Sequence, residues 1–134
     1  MTRWTVFSSR CPSRESLARI ANKWTAMIVI VLRERPHRFS ELHRRIDGIS
    51  KKVLVDTLLA LERDGMVERS AGSDLIVYRL TPLGETLEQP LLALQARAEA
   101  HVDEVVAARD RYDDAQDARL LDGVESPWPY PGNP

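Results

Sequence analysis

The run from Ser50 to Gly65, SKKVLVDTLLALERDG, constrains the fold more tightly than any other part of the chain. Ser50 is a helix N-capping residue, because its hydroxyl can accept a hydrogen bond from an N–H that has no partner in the first turn. Leu54, Leu58 and Leu61 follow at i, i+4 and i+7, which places them on one helical face. Asp64-Gly65 ends the run, since glycine takes the left-handed C-cap conformation without a side-chain clash. A helix this short with one apolar face is marginal alone and must bury that face on neighbours. The segment before it, RFSELHRRIDGIS, supplies one. There Ser40 reads as the cap of a shorter helix, Leu42 and Ile46 as its apolar positions, and Asp47-Gly48 as a tight turn. Two capped helices joined by a tight turn form a helix-turn-helix unit.

The flanking segments complete one domain. CPSRESLARIANKWTAMIVIVLRERP predicts a helix capped by Ser13 with Leu17 and Ile20 on its apolar face, a break at Asn22, and a second helix over 23–33. That second helix is apolar nearly all round, hence buried, and Pro36 stops it. After Gly65 the period changes. Residues 66–69 and 75–80 are strand-like, with AGSD between them as hairpin chemistry. Thr81-Pro82 reads as an N-cap and a first-turn proline. From there Leu83, Leu87, Leu91, Leu94, Ala98, Val102 and Val105 predict a long helix to about Tyr112, kinked at Pro90. Its stripe needs a covering surface, either a second copy of the chain or its own domain. The fold class is mainly α with a small β-hairpin. The chain divides into an N-terminal arm (1–12), a winged helix-turn-helix domain (13–84), a dimerisation helix (85–112) and an acidic, Pro-rich tail (113–134). Four of the eight prolines lie in the last eight residues, so the end is extended or polyproline-like unless Trp128 and Tyr130 dock it.

Net charge is −1, but it is unevenly placed. Residues 1–84 hold 15 Lys and Arg against 9 Asp and Glu, and residues 85–134 hold 4 against 11. A basic half joined to an acidic half fits one surface facing an anionic partner, or simply two solvated faces. No apolar run approaches the ~18 residues of a membrane span, and no apolar leader opens the chain, so a cytoplasmic protein is expected. One cysteine excludes an internal disulfide and a multi-thiolate metal site. His37, His43 and His101 show no ligand spacing, no phosphate loop or catalytic constellation is visible, and no metal, cofactor or enzymatic activity is expected.

A helix-turn-helix places the N-terminal residues of its second helix on base edges in the major groove. Here these are Ser50, Lys51, Lys52, Val55 and Asp56. Ser50 and the free N–H groups can hold a phosphate. Lys51 and Lys52 can neutralise phosphates or donate to guanine, Val55 can touch a thymine methyl, and Asp56 can accept from cytosine N4 while repelling the backbone. Arg38, Ser40, Arg44 and Arg45 flank this face, and Arg69 and Arg79 are the bases on the hairpin strands.

The motifs CPS, ANKWTAMIVIVL, RFSELHRRIDGIS, KKVLVDTLLALERDGMVER and VYRLTPLG resemble those of the HxlR-type transcriptional regulators, relatives of the MarR winged-helix group. The likeness runs from Cys11 to Gly84 and more loosely along the long helix. It implies a homodimer that binds double-stranded DNA, with the dimer built by the N- and C-terminal helices. It also implies an oxidant- or electrophile-sensing role for Cys11, whose cationic neighbours Arg10 and Arg14 lower a thiol pKa; the other reading is a small packed hydrophobe. Trp24 either lines a small-molecule effector pocket at the dimer junction or belongs to the core. Family recognition helices are richer in Gln, Arg and Thr, and the hairpin here is short with Asp74 at its tip. The alternative function is therefore a winged-helix protein-interaction or small-molecule-binding module that does not bind DNA.

Overall fold

The computed structural model describes residues 3–71 and 75–121. The element order is α1 (Pro12–Ile20), α2 (Lys23–Glu34), β1 (His37–Arg38), α3 (Phe39–Arg45), α4 (Lys51–Arg63), β2 (Val67–Ala71), β3 (Ile76–Leu80), α5 (Pro82–Glu85) and α6 (Glu88–Leu121). Residues 3–93 belong to one compact unit and 94–121 to a second. The first unit is a winged helix-turn-helix, with α3 and α4 as the helix pair and β2–β3 as the wing.

Its core is built from α2, α3, α4 and the base of the wing. Ile28, Val29, Leu42, Leu54, Leu58, Leu61 and Val67 are almost wholly buried, and Leu87 and Leu91 close one side. The Leu54/Leu58/Leu61 stripe is thus the inner face of α4, as its spacing predicts. Ser50 caps α4 by accepting from the Val53 N–H at 3.1 Å. At the other end Gly65 has φ +77°. The Met66 N–H donates to the Leu61 carbonyl at 2.9 Å and the Gly65 N–H to that of Glu62 at 3.1 Å, which together satisfy carbonyls the last turn leaves free. Truncating Leu58 to alanine leaves a cavity among these side chains, and we expect a loss of about 2–5 kcal/mol in urea unfolding.

Several local expectations are corrected. α1 is capped by Cys11, and Ser13 lies inside it; no α1 residue is buried and Leu17 is half-exposed. Pro12 at the first helical position explains the shift, because its missing N–H costs nothing there. Asn22 is the N-cap of α2, accepting from the Trp24 and Thr25 N–H groups. The cap position of α3 is Arg38, not Ser40. The β-structure is a three-stranded antiparallel sheet in the order β1-β3-β2, because His37 and Arg38 pair with Tyr78 and Val77. The long helix is broken before Pro90 rather than kinked at it. α5 ends at Glu85, and α6 starts at Glu88 with Pro90 in its first turn, where no intrahelical N–H is needed. α6 then runs past Tyr112 to Leu121, so the start of the expected tail is helical. The wing tip with Asp74, and the Pro-rich end with Trp128 and Tyr130, lie outside the described residues.

Candidate nucleic-acid interface

α4 buries one face and offers the other to solvent. Ser50, Lys51, Lys52, Val55 and Asp56 are all exposed, as is Leu59. The turn before the helix fixes this presentation: Ile46 and Ile49 are buried on either side of Gly48, which has φ +83°. A helix anchored at both ends of its apolar stripe, with its capped N-terminus free, has the geometry that an extended groove requires.

The expected cations fall into two groups. Arg44 on α3, Lys51 on α4 and Arg69 on β2 have no carboxylate partner among the described residues. The other expected cations are paired. Lys52 Nζ lies 2.9 Å from the Asp56 carboxylate, which raises the pKa of the lysine. Arg45 meets Glu34 at 3.0 Å, and Arg79 meets Glu68, its cross-strand partner, at 2.8 Å. Arg38 and Arg35 share Glu41, at 3.4 and 3.1 Å. Exposed pairs of this kind are worth about 0–1 kcal/mol, so a phosphate can replace the carboxylate at low cost. Ser40 is exposed in the first turn of α3, and its neighbour Glu41 is the true capping group.

Glu41 is the residue that the sequence reasoning missed, although the signal was present: a glutamate three residues after the cap position. Its carboxylate accepts from the Arg38 N–H at 2.9 Å and from the Arg35 guanidinium at 3.1 Å. The backbone bond first, and the Arg35 contact second, lower its pKa from 4.5 to about 2. The folded state therefore favours the carboxylate. That contribution is fully present above about pH 4.5 and is lost as pH falls toward 2. Thermal unfolding followed from pH 6 to pH 2 should show this loss, and Glu41→Gln should flatten that part of the profile.

Cys11 is the N-cap residue of α1. The half-buried thiol stands 2.9 Å from the Ser13 hydroxyl and accepts from the Thr5 N–H at 3.3 Å. The Ser13 contact, aided by the Thr5 N–H, lowers its pKa although partial desolvation opposes this. Arg14 does not approach the sulfur; its guanidinium donates to the Val6 and Phe7 carbonyls at 2.9 and 2.8 Å. Trp24 packs on the core with Lys23 over its ring. A depression of about 450 Å³ lies between Pro12, Ser16, Arg63 and Leu83, lined by neither Cys11 nor Trp24. Among the described residues no cluster of His, Cys, Asp and Glu could hold a metal ion, and no helix is long and apolar enough to cross a membrane.

A capped helix carried outward on a three-helix core, with a β-ribbon beside it, defines a winged helix-turn-helix regulator. The profile of HxlR-like helix-turn-helix proteins matches residues 19–106, and the chain belongs to that family. It is 43% identical over 108 residues to the uncharacterised HTH-type transcriptional regulator YtfH of Escherichia coli (strain K12), covering 78% of this chain and 86% of that one. The solved structure of YtfH from Salmonella typhimurium superposes with a TM-score of 0.75 at 37% identity, over 81% of this chain and 99% of the other. The redox regulator HypR in its reduced form gives a TM-score of 0.65 at 28% identity, over 72% and 98%. The protein is a transcriptional regulator of the helix-turn-helix type, and the relatives carry regulator names, not enzyme names.

Proposed function

We propose that the protein works as a homodimer on double-stranded DNA, with α4 in the major groove of each half-site. The observation that carries this reading is the solvent-facing N-terminal half of α4, where Lys51 has no carboxylate partner among the described residues. Lys51, Arg44 and, from the wing, Arg69 meet phosphates, and Ser50 with the first-turn N–H groups supplies a further anion contact. Arg38, Arg45 and Arg79 join them by exchanging their carboxylates for phosphate. Dimerisation is supported by the apolar side chains that residues 94–121 leave at the surface, Leu94, Val102, Val105 and Val106, each more than one-third exposed. Asp56 and the exposed Leu59 are the features of α4 that suit the non-DNA alternative. Lys51 on the same helix, without a carboxylate partner among the described residues, favours nucleic acid over a protein partner.

Cys11 serves as the responsive group in this reading. Its lowered pKa raises the thiolate fraction, and HypR, which shares the fold, is a redox regulator by name. With one cysteine per chain, an oxidised dimer can hold an intersubunit disulfide or a capped thiol. Selection of bound duplexes from a random pool, with and without mild peroxide, tests both parts. We expect an enriched site with two half-sites about 34–36 Å apart or a multiple of that. Peroxide should alter its binding in the wild type and leave Cys11→Ser unaffected. Failure to enrich any duplex contradicts the DNA reading, and a peroxide response preserved in Cys11→Ser contradicts the sensor role.

A further inference from the structure

We propose that α4 distinguishes sequences through apolar contact of Val55 and Leu59 with thymine methyl groups, and not through lysine contact with guanine. This rests on α4 lying in the major groove, as argued above. Val55 and Leu59 are 42% and 58% exposed and stand four residues apart, so they form one ridge on the face turned from the Leu54/Leu58/Leu61 core. Lys52 and Asp56 form the adjacent ridge, joined at 2.9 Å. That pair is neutral as a unit. A lysine that left it for guanine O6 and N7 would leave the Asp56 carboxylate facing the phosphate-lined groove without a counter-charge. Such an exposed pair is weak, but unlike the pairs of Arg38, Arg45 and Arg79 both its members stand on the helix that enters the groove, so Lys52 stays on Asp56 there and what remains for the base edges is hydrocarbon. In the major groove thymine alone presents hydrocarbon, its C5 methyl group. Leu59 lies eight residues beyond Lys51, about 12 Å along the helix axis, which is within a groove about 12 Å wide. Lys51 and Arg44 fix the register on phosphates, which carry no sequence information directly.

The test uses the full-length protein and a duplex enriched from a random pool. Each thymidine is replaced in turn by deoxyuridine, which removes only the methyl. At least one position per half-site should weaken binding about fourfold, the worth of one buried methyl-sized group. That penalty should vanish in Val55→Ala or Leu59→Ala, while an unrelated exposed substitution such as Glu62→Ala should retain it. Asp56→Asn should release Lys52, steepen the salt dependence by about 0.9 log units per log unit of salt for each added phosphate contact, and shift preference toward guanine. If every uridine duplex binds as tightly as its thymidine parent while salt-dependent binding persists, the methyl readout is wrong and the groove reading stands. If no duplex is bound at all, both fall together.

Discussion

Gly84→Ala should unfold the winged domain or bring it close to unfolding. Gly84 follows the Thr81 cap at the base of the wing. Its N–H donates to Thr81 Oγ1 at 3.1 Å, and the Thr81 N–H donates to the Met66 carbonyl at 3.1 Å. These bonds press α5 against the first residues after α4. A Cβ on residue 84 would collide with the Met66 carbonyl oxygen and come within 3.0 Å of its carbon. Backbone on both sides cannot yield as a flexible side chain does. Overpacking usually costs about 1–3 kcal/mol, and a backbone clash belongs at or above the top of that range, against a total stability of about 5–15 kcal/mol. Gly65→Ala offers an internal comparison. It is strained by φ +77° but meets only a Leu83 methyl at 3.7 Å, so its loss should be smaller, about 1–2 kcal/mol. Urea unfolding followed by circular dichroism gives the ranking. A Gly84→Ala protein with wild-type midpoint would mean that α5 does not pack as closely on Met66 as described.

The second large effect concerns assembly. Val102→Asp combined with Val105→Asp places two carboxylates in the apolar stripe of residues 94–121. Both valines are already exposed, at 50% and 38%, so a single chain loses little by the change. A dimer covering that stripe would have to bury two unpaired charges per subunit, which is strongly destabilising. The expected result is a monomer by analytical ultracentrifugation with unchanged helical content. Its affinity for a two-half-site duplex should fall by about a thousandfold or more, toward the non-specific level. A double variant that stays dimeric would move the interface elsewhere.

Much of the fold was legible because it is locally encoded. The caps Ser50 and Thr81, the Gly65 terminus and the leucine stripe of α4 each act within a few residues, and each appears where its spacing put it. What escaped was set at long range or by competition between caps. β1 is two residues long and exists because β3 offers it an edge some forty positions away, which no local period reveals. Ser13 and Ser40 are ordinary capping residues, but Pro12 and Glu41 decide the helix starts. For the candidate site, the exposure of the outer face of α4 was legible and its charge was less so. Counting Lys and Arg overstates the cationic face, because Asp56, Glu34, Glu68 and Glu41 each hold one or two of those groups. Lys52–Asp56 at i, i+4 and Arg38–Glu41 at i, i+3 are readable from spacing; Arg45–Glu34, Arg79–Glu68 and Arg35–Glu41 cross between elements or into a connection.

The claim that the helix pair meets DNA through Arg44 on α3 and Lys51 on α4 is tested most directly by the salt dependence of binding to an enriched duplex. With Arg44, Lys51 and Arg69 engaged on each subunit of a dimer, the log–log slope should be about −5, steepening toward about −11 as Arg38, Arg45 and Arg79 exchange their carboxylates for phosphate. Lys51→Ala or Arg44→Ala, each removing one cation per subunit, should reduce its magnitude by about 1.8 and weaken binding on all sequences alike. A slope near zero, or variants that match the wild type across the titration, would contradict it.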